Sequence, residues 1–163
     1  MNTNRKVVVL PVRSGSQRIK NKNFRKFCES SLFRIKLDQL LRLEFIDEVI
    51  VSSDSDMALE VAKEKGASIH KRNDYHASSK CSNSDFFLNF AEMTNAEYII
   101  YSPCTAPLVS DETYRDFFNS FYKMEDKYDS LATVNLIKKH MWNSNGPINY
   151  KIDASPNSQD LPN

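Results

Sequence analysis

The chain has 163 residues, of which 26% are charged, and a formal net charge of +1 at pH 7. This length fits one domain with a sizeable core, and nearly balanced charge argues against a nucleic-acid-binding face. No apolar run approaches the ~18 residues of a membrane span, and the chain does not start with a signal-peptide pattern. The cysteines Cys28, Cys81 and Cys104 lack C-x-x-C spacing. We therefore expect a reduced, cytoplasmic protein that binds neither nucleic acid nor membrane.

The first half of the chain alternates between strand and helix patterns. Short β-branched runs predict buried strands, and apolar residues at helical spacing predict the helices between them. The predicted elements are a strand over 7–9, a helix over 32–43 capped by Ser30 or Ser31, a strand over 48–52, a helix that ends at Gly66, and a strand over 67–70. The acidic residues of 53–56 could serve a metal, but capping of the second helix is the favoured interpretation.

The second half begins with a polar segment over 71–83, whose lack of periodicity predicts a long, functional loop. Ser82 and Asp85 form a capping signature for the helix that follows. A strand over 98–101, a helix after Ser110 and a strand over 131–135 complete the pattern. The last helix carries an aromatic stripe that we interpret as core: Tyr114, Phe117, Phe118, Phe121 and Tyr122.

Strands that alternate with helices predict parallel strand pairing with right-handed crossovers. We therefore expect an α/β fold, a three-layer Rossmann-like arrangement around a mainly parallel sheet. Residues 1–135 are expected to form this α/β domain, and the polar segment 136–163 is expected to lie outside it.

The loop over 10–23 follows the first predicted strand and is rich in cations. It carries one glycine, two serines and the side chains of Arg13, Arg18, Lys20 and Lys22. Open α/β sheets bind ligands beyond the carboxyl ends of their strands, where cations and free N–H groups suit a polyphosphate. The spacing fits neither the Walker loop nor the three-glycine dinucleotide fingerprint. The loop therefore predicts a nucleotide site of another type, with a solvated basic loop as the alternative.

The same loop resembles the signature L-x-x-R-x-G-S-x-R-x-x-x-K-N of the cytidylyltransferases that activate sialic acid and related keto-acid sugars. The fixed positions are matched by Leu10, Arg13, Gly15, Ser16, Arg18, Lys22 and Asn23. The segment 71–82 resembles the family's cytosine-side loop through Arg72 and Ser82, with Asn73 in place of a proline. For these two residues, a solvated cation and a helix cap are the structural alternatives.

The segment 102–108 resembles the family's L-Q-P-T-S-P-L loop. Pro103, Thr105, Pro107 and Leu108 fit, whereas Ser102 replaces a glutamine that contacts the sugar in the family. Cys104 has no base beside it in the sequence and is interpreted as a small buried filler rather than a nucleophile. The histidines His70, His76 and His140 are too scattered to suggest a metal set.

The resemblance implies an enzyme that transfers CMP from CTP to a nine-carbon keto-acid sugar and releases pyrophosphate. It places the cytosine near Arg72 and Ser82, the ribose near the backbone of Leu10 and Pro11, and the triphosphate against Arg13, Ser16 and Lys22. Arg13 and Lys22 are the implied catalytic charges. The implied nucleotide-binding set is Leu10, Pro11, Arg13, Gly15, Ser16, Arg18, Lys22, Asn23, Arg72 and Ser82, and the implied sugar-binding set is Ser102, Pro103, Thr105 and Gln159.

In the family, the region corresponding to 136–163 is an extended insertion that makes dimer contacts and ends in R-Q-x-L-P. Gln159, Leu161 and Pro162 match that ending, while Ser158 stands in place of the arginine. The resemblance therefore implies a homodimer. It also implies Mg²⁺, but the Asp-x-Asp pair that holds the metal in the family comes later than the region that this sequence matches. We expect a C-terminally truncated chain.

Two other functions stay open at this point. The related synthetase that activates KDO, an eight-carbon keto sugar, shares the first loop but has a Q-G-D-E-P segment that 102–104 does not match. A CTP-binding module or pseudo-enzyme, in which the phosphate loop is kept without the metal carboxylates, is the non-enzymatic alternative.

Overall fold

The computed structural model describes residues 5–16 and 19–161. Arg18 and Pro162, which the sequence analysis singled out, lie outside the described residues. The chain divides into two compact units, Met1–Ser120 and Phe121–Asn163, so the predicted boundary at 135 falls within the second unit. Within the described ranges, no helix combines the length and apolar character needed to cross a membrane.

The described residues of the first unit form a four-stranded parallel sheet in the order β5-β4-β1-β6. The elements of the first unit are, in chain order, β1 (Lys6–Val12), β2 (Lys26–Phe27), β3 (Ser30–Ser31), α1 (Leu32–Leu41), β4 (Glu48–Ser53), α2 (Asp56–Glu64), β5 (Ser68–Lys71), α3 (Asp74–Ala77), α4 (Asn83–Glu92), β6 (Tyr98–Tyr101) and α5 (Asp111–Tyr122). The last of these, α5, ends in the second unit. The predicted parallel α/β architecture is confirmed.

The alternation of side chains along β1 explains why helices pack on both faces of the sheet, which gives three layers. Val8, Leu10 and Val12 belong to a core cluster with residues of α1, α2 and α5. Val7 and Val9 point to the opposite face and pack in a second cluster with Phe90 of α4. Because successive strand residues face opposite sides, a run of four apolar residues marks a strand covered on both faces.

Most of the predicted helix boundaries are confirmed by their caps. The hydroxyl of Ser31 accepts a hydrogen bond from the Arg34 N–H at 3.3 Å, and that of Ser82 accepts one from the Asp85 N–H at 3.0 Å. Ser55 caps α2 in the same way, so a cap within 53–56 is confirmed, but a serine provides it and not one of the acidic residues to which the sequence analysis assigned it. Gly66 follows α2 with a φ of +85°, the left-handed conformation that suits glycine after a helix.

Three predictions are corrected by the structure. The segment 71–83 is not a continuous loop, because the side chain of Asn73 caps the short helix α3. Residues 131–135 form no strand, and Val134 is 89% exposed. An apolar run becomes a strand only when a neighbouring backbone pairs with it, which the run itself does not reveal. Of the aromatic stripe, Tyr114 and Phe118 are buried, but Tyr122 is half exposed.

The second unit is small and has little regular structure. A short antiparallel pair joins β7 (Trp142–Asn143) to β8 (Gly146–Pro147), and a single 3₁₀ turn spans Ser158–Asp160. Gly146 has a φ of +125°, which permits the tight turn between the two strands. Within this unit the imidazole of His140 hydrogen-bonds the Pro156 carbonyl at 2.9 Å.

Candidate nucleotide site

The carboxyl ends of the four parallel strands meet at one edge of the sheet. Strand register aligns Val12 of β1 with Ser53 of β4, Ser53 with Lys71 of β5, and Val9 of β1 with Tyr101 of β6. The segments that leave these strands therefore begin side by side. This is the edge at which parallel α/β sheets bind ligands.

A cavity of about 990 Å³ opens at this edge. The described residues that line it come from every segment that follows a sheet strand except the one after β4. Their cations are Arg13, Lys22 and Arg72, and no carboxylate is among them. The complete described lining is Pro11, Arg13, Ser16, Ile19, Lys22, Asn23, Arg72, His76, Ser78, Ser79, Cys81, Asn83, Phe86, Tyr101, Pro103, Cys104 and Thr105. A cavity with this charge in a nearly neutral protein is suited to an anionic ligand.

The segment after β4 does not line the cavity, but it holds the segment after β1, which does. The carboxylate of Asp54 accepts hydrogen bonds from the backbone N–H of Ser14 at 3.0 Å and from its hydroxyl at 2.5 Å. Burial disfavours the charged carboxylate, but the Ser14 hydrogen bonds outweigh it and lower the pKa of Asp54. The backbone between Arg13 and Ser16 is thereby fixed to the sheet.

Arg72 is a buried cation at the wall of the cavity, with only 4% of its surface exposed. Its backbone N–H continues the sheet by donating to the Ser53 carbonyl at 2.8 Å. Its guanidinium donates to the carbonyls of Val12, at 3.2 Å, and Ser52, and lies 5.5 Å from the ring centre of Phe86. Burial lowers the pKa of Arg72, and Asp54 opposes that shift. The Nε atom is buried without a hydrogen-bond partner, and the solvated-cation alternative for Arg72 is wrong.

Lys22 and Asn23 are presented by a tight turn. Asn21 has a φ of +53°, and its carbonyl accepts hydrogen bonds from the N–H groups of Phe24 at 2.9 Å and Arg25 at 3.0 Å. The carbonyl of Asn23 accepts from Phe33 at the start of α1 at 3.0 Å. Asn23 is 8% exposed, and its Oδ1 is a buried acceptor without a partner.

The opposite wall follows β6. Pro103, Cys104 and Thr105 line the cavity, whereas Ser102 is 1% exposed and its hydroxyl hydrogen-bonds the phenol of Tyr114 at 2.5 Å. Burial raises the pKa of the Cys104 thiol to about 12. The thiol is therefore protonated at neutral pH, in keeping with its interpretation as a filler.

The structure brings together most, but not all, of the residues singled out from the sequence. The cavity is lined by Pro11, Arg13, Ser16, Lys22, Asn23, Arg72, Pro103 and Thr105. Leu10 is a buried strand residue, Gly15 is exposed in the loop, and neither contributes to the lining. The hydroxyl of Ser82 serves as a helix cap beside the lining residues Cys81 and Asn83. Gln159 lies in the 3₁₀ turn of the second unit.

The sequence analysis missed several residues of the lining. His76, Ser78 and Ser79 belong to the polar segment that was predicted to be functional as a whole, without individual residues. Phe86 and Tyr101 were predicted only as members of a helix and a strand, without a place in the site. An aromatic residue at the carboxyl end of a parallel strand is the signal that could have identified Tyr101.

The described residues do not bring together a set of metal ligands. Among the described residues, no group of three or more His, Cys, Asp or Glu side chains could hold an ion. The carboxylate of Asp54, the strand-end acid considered for a metal, accepts hydrogen bonds from Ser14 instead. The described residues therefore assemble no group of three or more metal ligands that could be matched to the Mg²⁺ implied by the resemblance.

The sequence is similar to those of known cytidylyltransferases. The sequence profile of the cytidylyltransferase family matches residues 7–149. The pseudaminic acid cytidylyltransferase of Campylobacter jejuni is 28% identical over 131 residues, which are 77% of this chain and 56% of that protein. The N-acylneuraminate cytidylyltransferase of Escherichia coli is 26% identical over 129 residues, 78% of this chain and 30% of that protein. The chain thus spans just over half the length of the first relative and less than a third of the second.

Solved structures share the fold. The structure of CMP:2-keto-3-deoxy-manno-octonic acid synthetase complexed with CTP superposes with a TM-score of 0.60 at 16% identity. The match covers 76% of this chain and 48% of that one. At this level of identity the similarity establishes the nucleotidyltransferase fold.

Proposed function

The chain belongs to the cytidylyltransferase family, and from this premise we propose that it binds CTP and takes part in activating a nonulosonic acid as its CMP-sugar. The relatives in the comparison are named for pseudaminic acid and N-acylneuraminate, which points to a substrate of this class. The proposal includes a homodimer in the cytoplasm and Mg²⁺ as cofactor, as the resemblance and composition imply. No step is assigned to Mg²⁺ here, because its ligands are not assembled among the described residues.

One observation carries the proposal: three residues that line the cation-lined cavity, Asn23, Arg72 and His76, each carry a buried polar atom that lacks a partner. Asn23 Oδ1 is an acceptor and Arg72 Nε is a donor, and both residues line the cavity. A buried polar group without a partner costs about 1–3 kcal/mol, so such groups are typical of sites completed by a ligand. Cytosine offers acceptors at O2 and N3 for a donor such as Arg72 Nε.

In the proposed reaction the anomeric hydroxyl of the sugar acid attacks the α-phosphorus of CTP. A new O–P bond forms and the hydroxyl proton passes to solvent. The bond from the α-phosphorus to the oxygen that bridges it to the β-phosphorus breaks, and pyrophosphate leaves with the electron pair. Charge accumulates on phosphoryl oxygens during this step, so fixed cations stabilise the transition state. Arg13 and Lys22 have this role in the proposal.

A second candidate is a CTP-binding module without catalysis. The cation-lined cavity favours it, since cations suit a bound polyphosphate whether or not transfer follows.

Calorimetric titration with CTP and, in parallel, pyrophosphate release from CTP, Mg²⁺ and each sugar acid test both candidates. We expect CTP to bind at least about tenfold more tightly than GTP, because the cavity would read the base edge. Binding together with pyrophosphate release supports the enzyme, and binding without release supports the module. Failure of CTP to bind would contradict both.

A further inference from the structure

Lys36 lies on the apolar face of α1, and its side chain is completely buried, with 0% of its surface exposed. Its neighbours on that face, Phe33, Leu37 and Leu40, all belong to the main core cluster. Burial of an ammonium group is costly unless the charge is compensated. Among the residues that the structure describes, Lys36 makes no ion pair with a carboxylate.

The ammonium group instead donates hydrogen bonds to two side chains. Its Nζ atom lies 2.7 Å from Gln39 Oε1, 3.0 Å from the phenol oxygen of Tyr114 and 5.1 Å from the centre of the Tyr114 ring. Because an ammonium can only donate, the direction of both hydrogen bonds is fixed. Tyr114 therefore keeps its own proton to donate, and Gln39 keeps its amide N–H groups.

Each of these two side chains in turn forms a hydrogen bond with one end of the segment 102–109. The phenol of Tyr114 is within 2.5 Å of the hydroxyl of Ser102, at the start of the segment. The amide of Gln39 donates to the carbonyl of Val109, at its end, and to the carboxylate of Asp111 at 3.2 Å. Lys36 thus stands at the junction of two hydrogen-bonded branches that reach the two ends of one segment.

This segment forms the β6 side of the cavity. Pro103, Cys104 and Thr105 line it, whereas Leu108, outside the lining, is 92% exposed. The segment has no regular secondary structure of its own, although the Ser102 N–H donates to Val9 and the Ala106 N–H to Pro103. Its position therefore depends on what holds its ends.

We propose that Lys36 is a positioning residue, which holds both ends of 102–109 and so fixes the β6 side of the cavity that Arg13 and Lys22 also line. Its importance for turnover rests on the function proposed above. The arrangement is not explained by stability alone, because replacing buried charges by apolar groups of similar size is often neutral or stabilising.

Three variants separate the two branches. Lys36→Met keeps the apolar stem and removes the ammonium, Tyr114→Phe cuts only the Ser102 branch, and Gln39→Met cuts only the Val109 branch. Lys63→Met, at an exposed position of α2, is the matched control. Amide hydrogen exchange of the full chain, the melting temperature and CTP affinity are measured for each, together with kcat and KM for the sugar acid.

We expect Lys36→Met to speed exchange by roughly tenfold or more at both ends of 102–109 while β1 and β4 stay protected. Tyr114→Phe should affect the amides of 102–106, and Gln39→Met those of 108–109. For turnover, Lys36→Met should lower kcat/KM for the sugar acid roughly 10- to 100-fold while CTP affinity stays within about twofold, because wall residues would be misplaced by small distances.

Unchanged exchange at 102–109 in Lys36→Met overturns the proposal, and so does faster exchange across the whole sheet with a large loss of melting temperature. If the unmodified protein does not bind CTP, the proposed function fails, but the exchange pattern still decides the role of Lys36.

Discussion

Asp54 is joined to Ser14 by two hydrogen bonds, which fasten the segment after β1 to the segment after β4. This contact connects two strand ends that are neighbours in the sheet but are separated by 40 residues in the chain. The Asp54 carboxylate does not line the cavity, so its effect on a ligand is exerted through the backbone that it holds. The contribution of Asp54 can therefore be measured through the free energy of unfolding and through the affinity for a ligand of the cavity.

We expect Asp54→Asn to lower the free energy of unfolding at neutral pH by about 1 kcal/mol, since hydrogen bonds to a charged acceptor are lost. The pKa of Asp54 is lower in the folded chain than its ordinary 3.8, so its stabilisation is present above that pH. The stabilisation should disappear as the pH falls through the folded pKa. Urea unfolding of both proteins at neutral pH and below 3.8 checks this. With Asp116→Asn as the control for an exposed carboxylate, an equal difference at both pH values would contradict the prediction.

Arg13→Ala and Lys22→Ala should reduce turnover by about 10²-fold or more, because each removes a fixed charge from the phosphate side of the cavity. Neither side chain is part of the buried core, so melting temperatures should stay close to that of the unmodified protein. Arg115→Ala and Lys63→Ala, which remove exposed cations from helices, serve as matched controls. The role assigned to Arg13 and Lys22 is wrong if either variant keeps full activity and full CTP affinity.

Arg72→Met should differ from those variants by losing both stability and affinity. The guanidinium donates to two buried strand carbonyls, and removing these donors should cost about 2 kcal/mol. CTP affinity should also fall at least about tenfold, because a donor and a positive charge leave the cavity wall. Chemical unfolding and CTP titration of the same samples measure the two effects. A loss of affinity with unchanged stability would contradict the structural half of this prediction.

The cysteines should react with iodoacetamide at clearly different rates. Cys28 is exposed and Cys81 is half-buried at the cavity, whereas Cys104 is buried and burial raises its thiol pKa to about 12. Since the thiolate is the nucleophile, Cys104 should stay unmodified in the folded protein at mildly alkaline pH. Mass spectrometry of peptides from folded and denatured samples gives the rates. CTP should slow the labelling of Cys81 and leave Cys28 unaffected, and equal labelling of Cys104 and Cys28 would refute the prediction.

Local sequence rules predicted the elements whose causes are local. The run from Val7 to Leu10 identified a strand buried on both faces, because such strands lack polar alternation. Ser31, Ser82 and Gly66 identified helix ends through caps that depend on neighbouring residues alone. The position of the segment 10–23 after the first predicted strand also predicted its place at the carboxyl edge of the sheet.

Features that depend on distant partners were not predicted. For Arg72, a solvated cation stood as the alternative to a cytosine contact, because nothing nearby in sequence shows that the carbonyls of Val12 and Ser52 would accept its hydrogen bonds. Lys36 was overlooked although it follows Phe33 by three residues on the apolar face of α1. A cation on such a face is a signal in itself, since it must either disrupt the core or be hydrogen-bonded within it.

The left-handed turn at Asn21 has a consequence for binding. Asparagine tolerates this conformation better than most residues, and two N–H groups hold its carbonyl in place. The positions of Lys22 and Asn23 are therefore fixed by hydrogen bonds within the turn and with the start of α1. A nucleotide that enters meets a preorganised receptor, so the entropy lost in ordering this turn belongs to folding and does not weaken association.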